Sequence, residues 1–540
     1  LNASDAARSR IETWFAAHAP WQRRGLAFAA GAAGVLGHAP FQLTFVYVLA
    51  ATVLVWLLDA AFRQQRCLRA AFATGWFFGA GHMLAGLYWV SAAFNVDSDA
   101  WGPIWGVPAT IGLAAGLALF FGLGGALAML LWARDWRRIP AFALALFASE
   151  WLRGHVFGGF PWILPAYVWT PGEPVSQLAS LIGAYGLSLF TLFVAASPAA
   201  IADGGQSAGR RFAPALGAAL ALGMAWGWGA QRIARAPIDL PGAQPVVRVA
   251  DSGLSQAEKW APHADQEWRV LERYLDASGP SSDDAEASIV IWPEGAIPMV
   301  NFFMLENPGF MQALGRWLGD RVLIAGLNRR ELSADGLVYF NSAAVIDGVS
   351  GEARLSQIYD KHHLVPFGEY IPLWSLVSAF NIAPLQRIGA GFESGAPPSR
   401  LVVPGAPSAV VLICYEAIFP GMVPRGEERP GWIVMVTNDA WFGGGSGPYQ
   451  HYAMARYRAI EEGLPIARAA AGGNSAIIDS MGRPISATST GVLYAEAQIP
   501  PALVETVYAR FGHMLLLFML VFLAGVRFLP PRGRRGESHR

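Results

Sequence analysis

The chain has 540 residues and a formal net charge of zero. Its residues are 54% hydrophobic and only 14% charged, a balance that excludes an ordinary soluble enzyme and leaves no overall basic surface to argue for nucleic acid. Two cysteines make no disulfide framework, and neither has the neighbouring Cys or His ligands that a structural zinc site needs.

In chain order, apolar stretches long enough to cross a bilayer come first. Eight spans are expected, at 25–38, 41–60, 71–94, 103–132, 139–152, 175–202, 212–230 and 511–528. The first and fifth are short, and a buried or re-entrant helix is the alternative for each. Lys and Arg flanking a span favour the cytoplasmic side. Arg8, Arg10, Arg23 and Arg24 precede the first span, and Arg63, Arg66 and Arg69 follow the second. Arg134, Arg137 and Arg138 follow the fourth, Arg210 and Arg211 precede the seventh, and Arg527, Arg532, Arg534 and Arg535 follow the last. Eight spans put all these clusters on one side and the acidic loop 95–103 on the other. Both termini are then cytoplasmic. The expected domains are a seven-span membrane domain at 1–235, a soluble domain at 246–505 on the far side, a closing helix at 511–528 and a basic cytoplasmic tail at 529–540. Cys67 falls on the cytoplasmic side and cannot pair with Cys414. Trp101, Trp105, Trp162 and Trp169 fit an aromatic belt near the outer boundary.

Within 246–505, Val/Ile-rich runs alternate with helical stretches, which predicts an α/β domain with helix-covered sheets. Strands are expected at 245–250, 288–292, 322–327, 340–347, 409–415, 432–437 and 467–479, and helices at 265–277, 310–318 and 450–462. Several strands lead into reactive groups. "SIVIWPEGAIP" carries Glu294, "LSQIYDKHHLVPFGEYIP" carries Lys361 and Glu369, and "AVVLICYEAIFP" carries Cys414. A thiol, a carboxylate and an ammonium are the parts of a nucleophilic acyl-transfer site. Taken singly, each has a plainer reading: an inert buried thiol, a helix-start carboxylate, a solvated loop charge. His362 and His363 would point opposite ways on one strand, with no further ligand pair, so no metal site is expected.

Together, "WPEGAIP", "YDKHHLVPFGEYIP", "CYEAIFP" and "TNDAWFG" resemble the nitrilase, or carbon–nitrogen hydrolase, superfamily. With its membrane frame the chain resembles the apolipoprotein N-acyltransferase family over nearly its whole length. The resemblance implies a nitrilase-like four-layer αββα sandwich, inserted before the last helix of an eight-helix transmembrane domain. It implies a Glu294–Lys361–Cys414 triad, with Glu369 supporting it and Tyr415 and Glu416 required beside the nucleophile. It also matches Trp260, in "QAEKWAP", to a substrate-binding tryptophan on a mobile loop. The reaction it implies moves an acyl chain from the sn-1 position of a phospholipid, through a cysteine thioester, to the α-amine of a diacylated apolipoprotein. The setting is a bacterial inner membrane with the catalytic domain in the periplasm. No cofactor, metal, nucleic acid or oligomer is called for. A membrane-tethered amidase is the alternative with the same triad. A transporter would place ionisable residues deep in several spans, and a binding scaffold would be expected to lose part of the triad. Two local features are also expected. Residues 437–452, rich in glycine and aromatics, form a mobile loop near the site, and Glu416 faces the same side as Cys414 by strand alternation.

Overall fold

The structure is a computed structural model and describes residues 10–96, 103–204, 206–236, 244–259, 266–279, 287–297, 308–333, 336–349, 352–372, 374, 391–488 and 491–528. The expectations on Trp101, Trp260 and the tail 529–540 lie outside these residues.

Leu-, Ala- and Phe-rich runs form the N-terminal helices α1 (Arg10–Ala17), α2 (Pro20–Gly34), α3 (Thr44–Phe62), α4 (Cys67–Gly86) and α5 (Val90–Val96). They continue with α6 (Gly106–Leu131), α7 (Arg138–Arg153), α8 (Ala179–Ala196) and α9 (Ala208–Ala234). Close packing between apolar helices needs small residues at the crossing. A Cβ on Gly75 of α4 would lie 2.2 Å from the Phe121 carbonyl oxygen of α6, so only glycine fits there. Each expected span carries a helix. Four stretches are long and apolar enough to cross a membrane: Thr44–Phe62, Gly106–Leu131, Pro174–Ala202 and Ala208–Ala234. The helices at the other expected spans are shorter or less apolar, so length and composition do not by themselves yield the count of eight.

The following domain is built on two sheets. One has six strands in the order β11-β1-β2-β3-β4-β5 and the other five in the order β10-β9-β8-β7-β6. The strands are β1 (Val246–Ala250), β2 (Ile289–Ile297), β3 (Val322–Ser333), β4 (Gly336–Val349), β5 (Glu352–Asp360), β6 (Ala409–Ile413), β7 (Trp432–Asn438), β8 (Ile466–Ala471), β9 (Ala476–Ile478), β10 (Pro484–Ala487) and β11 (Tyr494–Gln498). Side chains alternate across each strand. Val249, Ile291 and Ile324 of the first sheet therefore meet Val411, Val434 and Ala469 of the second in one buried layer. The opposite faces are covered by helices. Val290, Trp292 and Leu323 pack on α11 (Gln266–Ala277) and α12 (Pro308–Leu318), beyond the short α10 (Gln256–Lys259). Leu412, Ile433 and Met435 pack on α13 (Gly447–Glu462). The result is the expected αββα order. Strands β5, β10 and β11 are additions to the strands that the sequence leads one to expect, and the single strand expected at 467–479 is two, β8 and β9, which fold back on each other antiparallel.

The chain then returns through α14 (Val507–Phe511) to α15 (Met514–Arg527), which packs on α7 and α8. Helix α13 also seats the soluble domain on the membrane helices. Tyr457 donates to the Ala166 and Trp169 carbonyls at 2.9 and 2.7 Å, and Glu461 accepts from the Ala184 amide at 2.6 Å. Trp162 is buried, and its indole donates to Gln450 of α13 at 2.7 Å. It is therefore a docking residue and not part of a lipid-facing belt, whereas Trp105 is exposed. The loop expected over 437–452 is mostly folded. Its first part forms a 3-10 turn, Asp439–Phe442, and α13 begins at Gly447, leaving 443–446 as loop.

Candidate active site

Glu294 stands near the end of β2, where the β2–β3 register shifts between Trp292 and Ile297. An irregularity of this kind re-aims a side chain. Gly326 of β3 allows it, since a Cβ there would lie 2.5 Å from the Glu294 Cα. Lys361 follows β5, with its amide on the Asn341 carbonyl of β4 at 2.8 Å. Its side chain is buried, with Nζ 2.9 Å from both Glu369 carboxylate oxygens and 3.7 Å from Glu294 Oε1. Asn341 Nδ2 donates to Glu294 Oε1 and Glu369 Oε1, each at 2.7 Å, and ties the two acids together. The Asn438 amide donates to Glu294 Oε2 at 2.9 Å and the Val365 amide to Glu369 Oε2 at 2.8 Å.

Cys414 comes from the other sheet, directly after β6. It opens a 3-10 turn, Cys414–Ile418, with φ at +48°. A non-glycine residue in that region carries a strain of about 1–3 kcal/mol, tolerated where the surroundings over-determine it. The turn ends the strand ahead of Cys414, and the residue as a whole is only partly buried. Burial, then the charge of Glu294, push the thiol pKa well above its ordinary value; Lys361 and the Thr437 hydroxyl pull the other way. Burial opposes the charge on Lys361, but Glu369 and Glu294 outweigh it and raise its pKa, so it stays an ammonium throughout the neutral range. The free site is thus a protonated thiol beside a cation and two carboxylates.

The neighbours of Cys414 act as clamps. Glu416 is fully buried, and burial raises its pKa. One oxygen accepts from the Tyr359 hydroxyl at 2.6 Å and from the His362 and His363 amides at 2.9 and 3.1 Å; the other accepts from the Ile413 amide at 2.7 Å. It therefore ties the backbone just after Lys361 to the backbone just before Cys414. Strand alternation does not govern its direction, because 414–418 is helical. Tyr415 donates to the Gly159 carbonyl at 2.6 Å, and the His363 ring bonds the Gly158 carbonyl at 2.6 Å, so the site rests on the loop that follows α7. His362 bonds the Gly395 carbonyl through Nδ1 at 2.8 Å. Neither histidine lies on a strand, and among the described residues no cluster could hold a metal ion.

The structure thus brings together Glu294, Lys361, Glu369 and Cys414, with Tyr415 and Glu416 behind them. Sequence reasoning missed Asn341 and Asn438. The signal for Asn341 was a lone amide opening the apolar run "NSAAVI", which needs a partner once buried.

The two parts of the chain each match a known family. Residues 30–197 match the model of the apolipoprotein N-acyltransferase N-terminal domain, and residues 248–508 that of the carbon–nitrogen hydrolases. An apolipoprotein N-acyltransferase of Bradyrhizobium diazoefficiens is 42% identical over 94% of this chain and 95% of its own length. One from Rhodopseudomonas palustris is 38% identical over 95% of this chain and 96% of its own. Another, from Caulobacter vibrioides, is 38% identical over 94% of each.

Proposed function

The chain belongs to the apolipoprotein N-acyltransferase family, and on that premise we propose that it moves an acyl chain from a membrane phospholipid to the N-terminal amine of diacylated apolipoproteins, through a thioester on Cys414. The observation that carries this reading is the meeting of Cys414 with the Glu294–Lys361 pair, 3.7 Å apart, directly above the membrane helices.

Glu294 takes the Cys414 proton, and the sulfur attacks the sn-1 ester carbonyl. Lys361 stabilises the oxyanion that forms. The tetrahedral adduct collapses, the C–O bond breaks, and Glu294 returns the proton to the departing lysophospholipid alkoxide. In the second half the neutral α-amine of the diacylglyceryl-cysteine attacks the thioester. Glu294 accepts the amine proton, the C–S bond breaks and the thiol is regenerated. An ester and an amine have become an alcohol and an amide, with no external energy source. Two orienting groups support these roles: Asn341 and the Asn438 amide fix both oxygens of Glu294, and Glu369 anchors Lys361.

The setting in the bilayer has a physical reason. Extracting either lipid substrate into water would cost on the order of 0.8 kcal/mol per CH₂. A site docked on membrane helices avoids that cost. In this reading eight spans divide the chain as 1–235, 246–505 and 511–528, both termini are cytoplasmic and the catalytic domain is periplasmic, as the one-sided basic clusters support. Trp260 would contact substrate, as its motif suggests.

Intact mass tests the proposal. Incubation with a defined phospholipid is expected to give a hydroxylamine-sensitive acyl mass on Cys414, absent from Cys414→Ala, that moves to the amine of an added diacylated lipopeptide. Loss of that mass to water at the same rate with and without peptide would instead establish a hydrolase. No adduct on the wild-type protein would sink the thioester mechanism.

A further inference from the structure

A second group of buried charges touches Cys414 through its backbone, and the acyl-transfer scheme leaves it without a role. His451 Nε2, on α13, lies 3.1 Å from the Cys414 carbonyl oxygen. Its Nδ1 lies 2.9 Å from Asp439 Oδ1. Arg468 of β8 donates to the other Asp439 oxygen at 2.7 Å and stands 3.3 Å from Nδ1. All three side chains are fully buried. Two aromatic rings flank the imidazole. Trp162 stacks on it at 5.7 Å with planes 22° apart, and Phe442 meets it edge-on at 5.5 Å.

The chemistry of the partners assigns the protons. A peptide carbonyl and an ionised carboxylate are acceptors only. Asp439 is ionised: burial opposes its charge, but Arg468 and His451 outweigh that and bring its pKa down to about 2. Nε2 of His451 therefore carries a proton toward the Cys414 carbonyl, while Nδ1 lies between the Asp439 oxygen and the Arg468 guanidinium. The ring is a donor aimed at the carbonyl of a residue whose own backbone is strained.

We propose that His451 is a positioning residue for acyl transfer, donating from Nε2 to the Cys414 carbonyl and so holding the nucleophile in its left-handed conformation. The inference rests on Cys414 being the nucleophile. Strain at φ +48° persists only if both sides of the residue are gripped. Glu416 grips the preceding amide, at Ile413, and His451 grips the following carbonyl. Asp439 and Arg468 orient the ring. Trp162 and Gln450 extend the chain of contacts to the membrane domain, so seating the soluble domain on the membrane also seats the thiol.

The test uses the full-length protein in lipid nanodiscs, with His451→Ala and His451→Gln. Glutamine can donate to the carbonyl but carries no charge. Two quantities are read: single-turnover acylation of Cys414 over a range of phospholipid concentration, and the rate of Cys414 alkylation by iodoacetamide against pH. His451→Ala is expected to lower the limiting acylation rate by about 100-fold with the half-saturating lipid concentration within about threefold, as loss of a geometric constraint predicts. His451→Gln is expected to recover most of that loss. If the alanine variant does not fold, the glutamine variant still decides. Acylation within about tenfold of wild type supports the tether, and a deeper loss in a folded glutamine variant overturns it. Alanine and wild type acylating alike would also overturn it, as would equal losses for alanine and glutamine. If the wild-type protein forms no acyl adduct, the acyl-transfer reading fails on its own. The alkylation profiles still judge the tether: a shift to higher pH in His451→Ala supports it, and superimposable profiles reject it.

Discussion

Two charge clusters flank Cys414, and their compositions differ in an instructive way. The cluster from the six-stranded sheet sets two carboxylates, Glu294 and Glu369, against one ammonium, Lys361, and Glu294 remains 13% exposed. The cluster from the five-stranded sheet and its helix sets one carboxylate, Asp439, against Arg468 and His451, with all three sealed from solvent. The first has a carboxylate in excess, next to a protonated thiol, and can take up a proton. The second is saturated with donors and closed to water, so it can only hold shape. Buried ion pairs contribute little net stability but cost heavily when one partner is removed. Equal burial of charge can thus serve proton transfer in one place and geometry a few residues away.

Substitutions sharpen the contrast. The largest effect is expected for Glu294→Gln, which removes the proton acceptor: acylation should fall by about 10²–10⁴-fold. The same change should speed alkylation of Cys414 at fixed alkaline pH, because the Glu294 charge is one of the causes that raise the thiol pKa. Lys361→Met should slow acylation and slow alkylation as well. The wild-type alkylation rate should still be climbing above pH of about 8.5, the ordinary thiol value. A plateau below it would contradict the sign of the shift.

Next comes Glu416→Gln, which leaves the Ile413 amide facing a donor. Stability should drop by about 1–3 kcal/mol for the orphaned group, read as the midpoint of thermal unfolding, and acylation by the folded fraction should fall as well, by up to about 100-fold, because Glu416 is one of the two grips on Cys414. Smaller and pH-dependent is Asp439→Asn. The Asp439 pKa is lowered in the folded state, so its ionisation stabilises the protein fully above the unfolded value and that contribution fades as pH falls toward about 2. The variant should be less stable at pH 7, and its stability should fall less steeply than the wild type's below pH of about 4. An unchanged acid slope would mean that Asp439 is not the ionised partner. The smallest effect is expected for Tyr415→Phe, which removes one hydrogen bond to Gly159: about 0.5–1.5 kcal/mol, with acylation within about tenfold of wild type.

Much of the site is legible in the order of the residues alone. Glu294, Lys361, Glu369 and Cys414 each sit at or just after an apolar run, and strand ends are where an α/β scaffold presents chemistry. The central strands of the two sheets are legible for the same reason: buried on both faces, they read as continuous Val/Ile runs. The edge strands β10 and β11 are not, because strands such as "PISA" and "YAEAQ" bury too little to leave a pattern. Periodicity misleads at Glu416, since the turn that opens at Cys414 ends the strand at Ile413, two residues short of the expected 415. Composition misleads at 437–452, where glycine and aromatic content suggests a loop and packing against Trp89 and Trp162 makes a turn and a helix.

Composition, hydropathy and local motif order by themselves determined that this is a membrane-embedded chain carrying an α/β domain with a thiol, an amine and carboxylates at its strand ends, because each of those signals is local in the chain. Only the tertiary structure decided what those groups touch. The Glu294–Asn341–Glu369 bridge, the Glu416 clamp between 413 and 362, and the His451–Cys414 tether span from 3 to more than 50 residues in sequence. Such contacts come from the docking of two sheets and of the soluble domain on the membrane helices, and the free energy that selects them belongs to the packed whole.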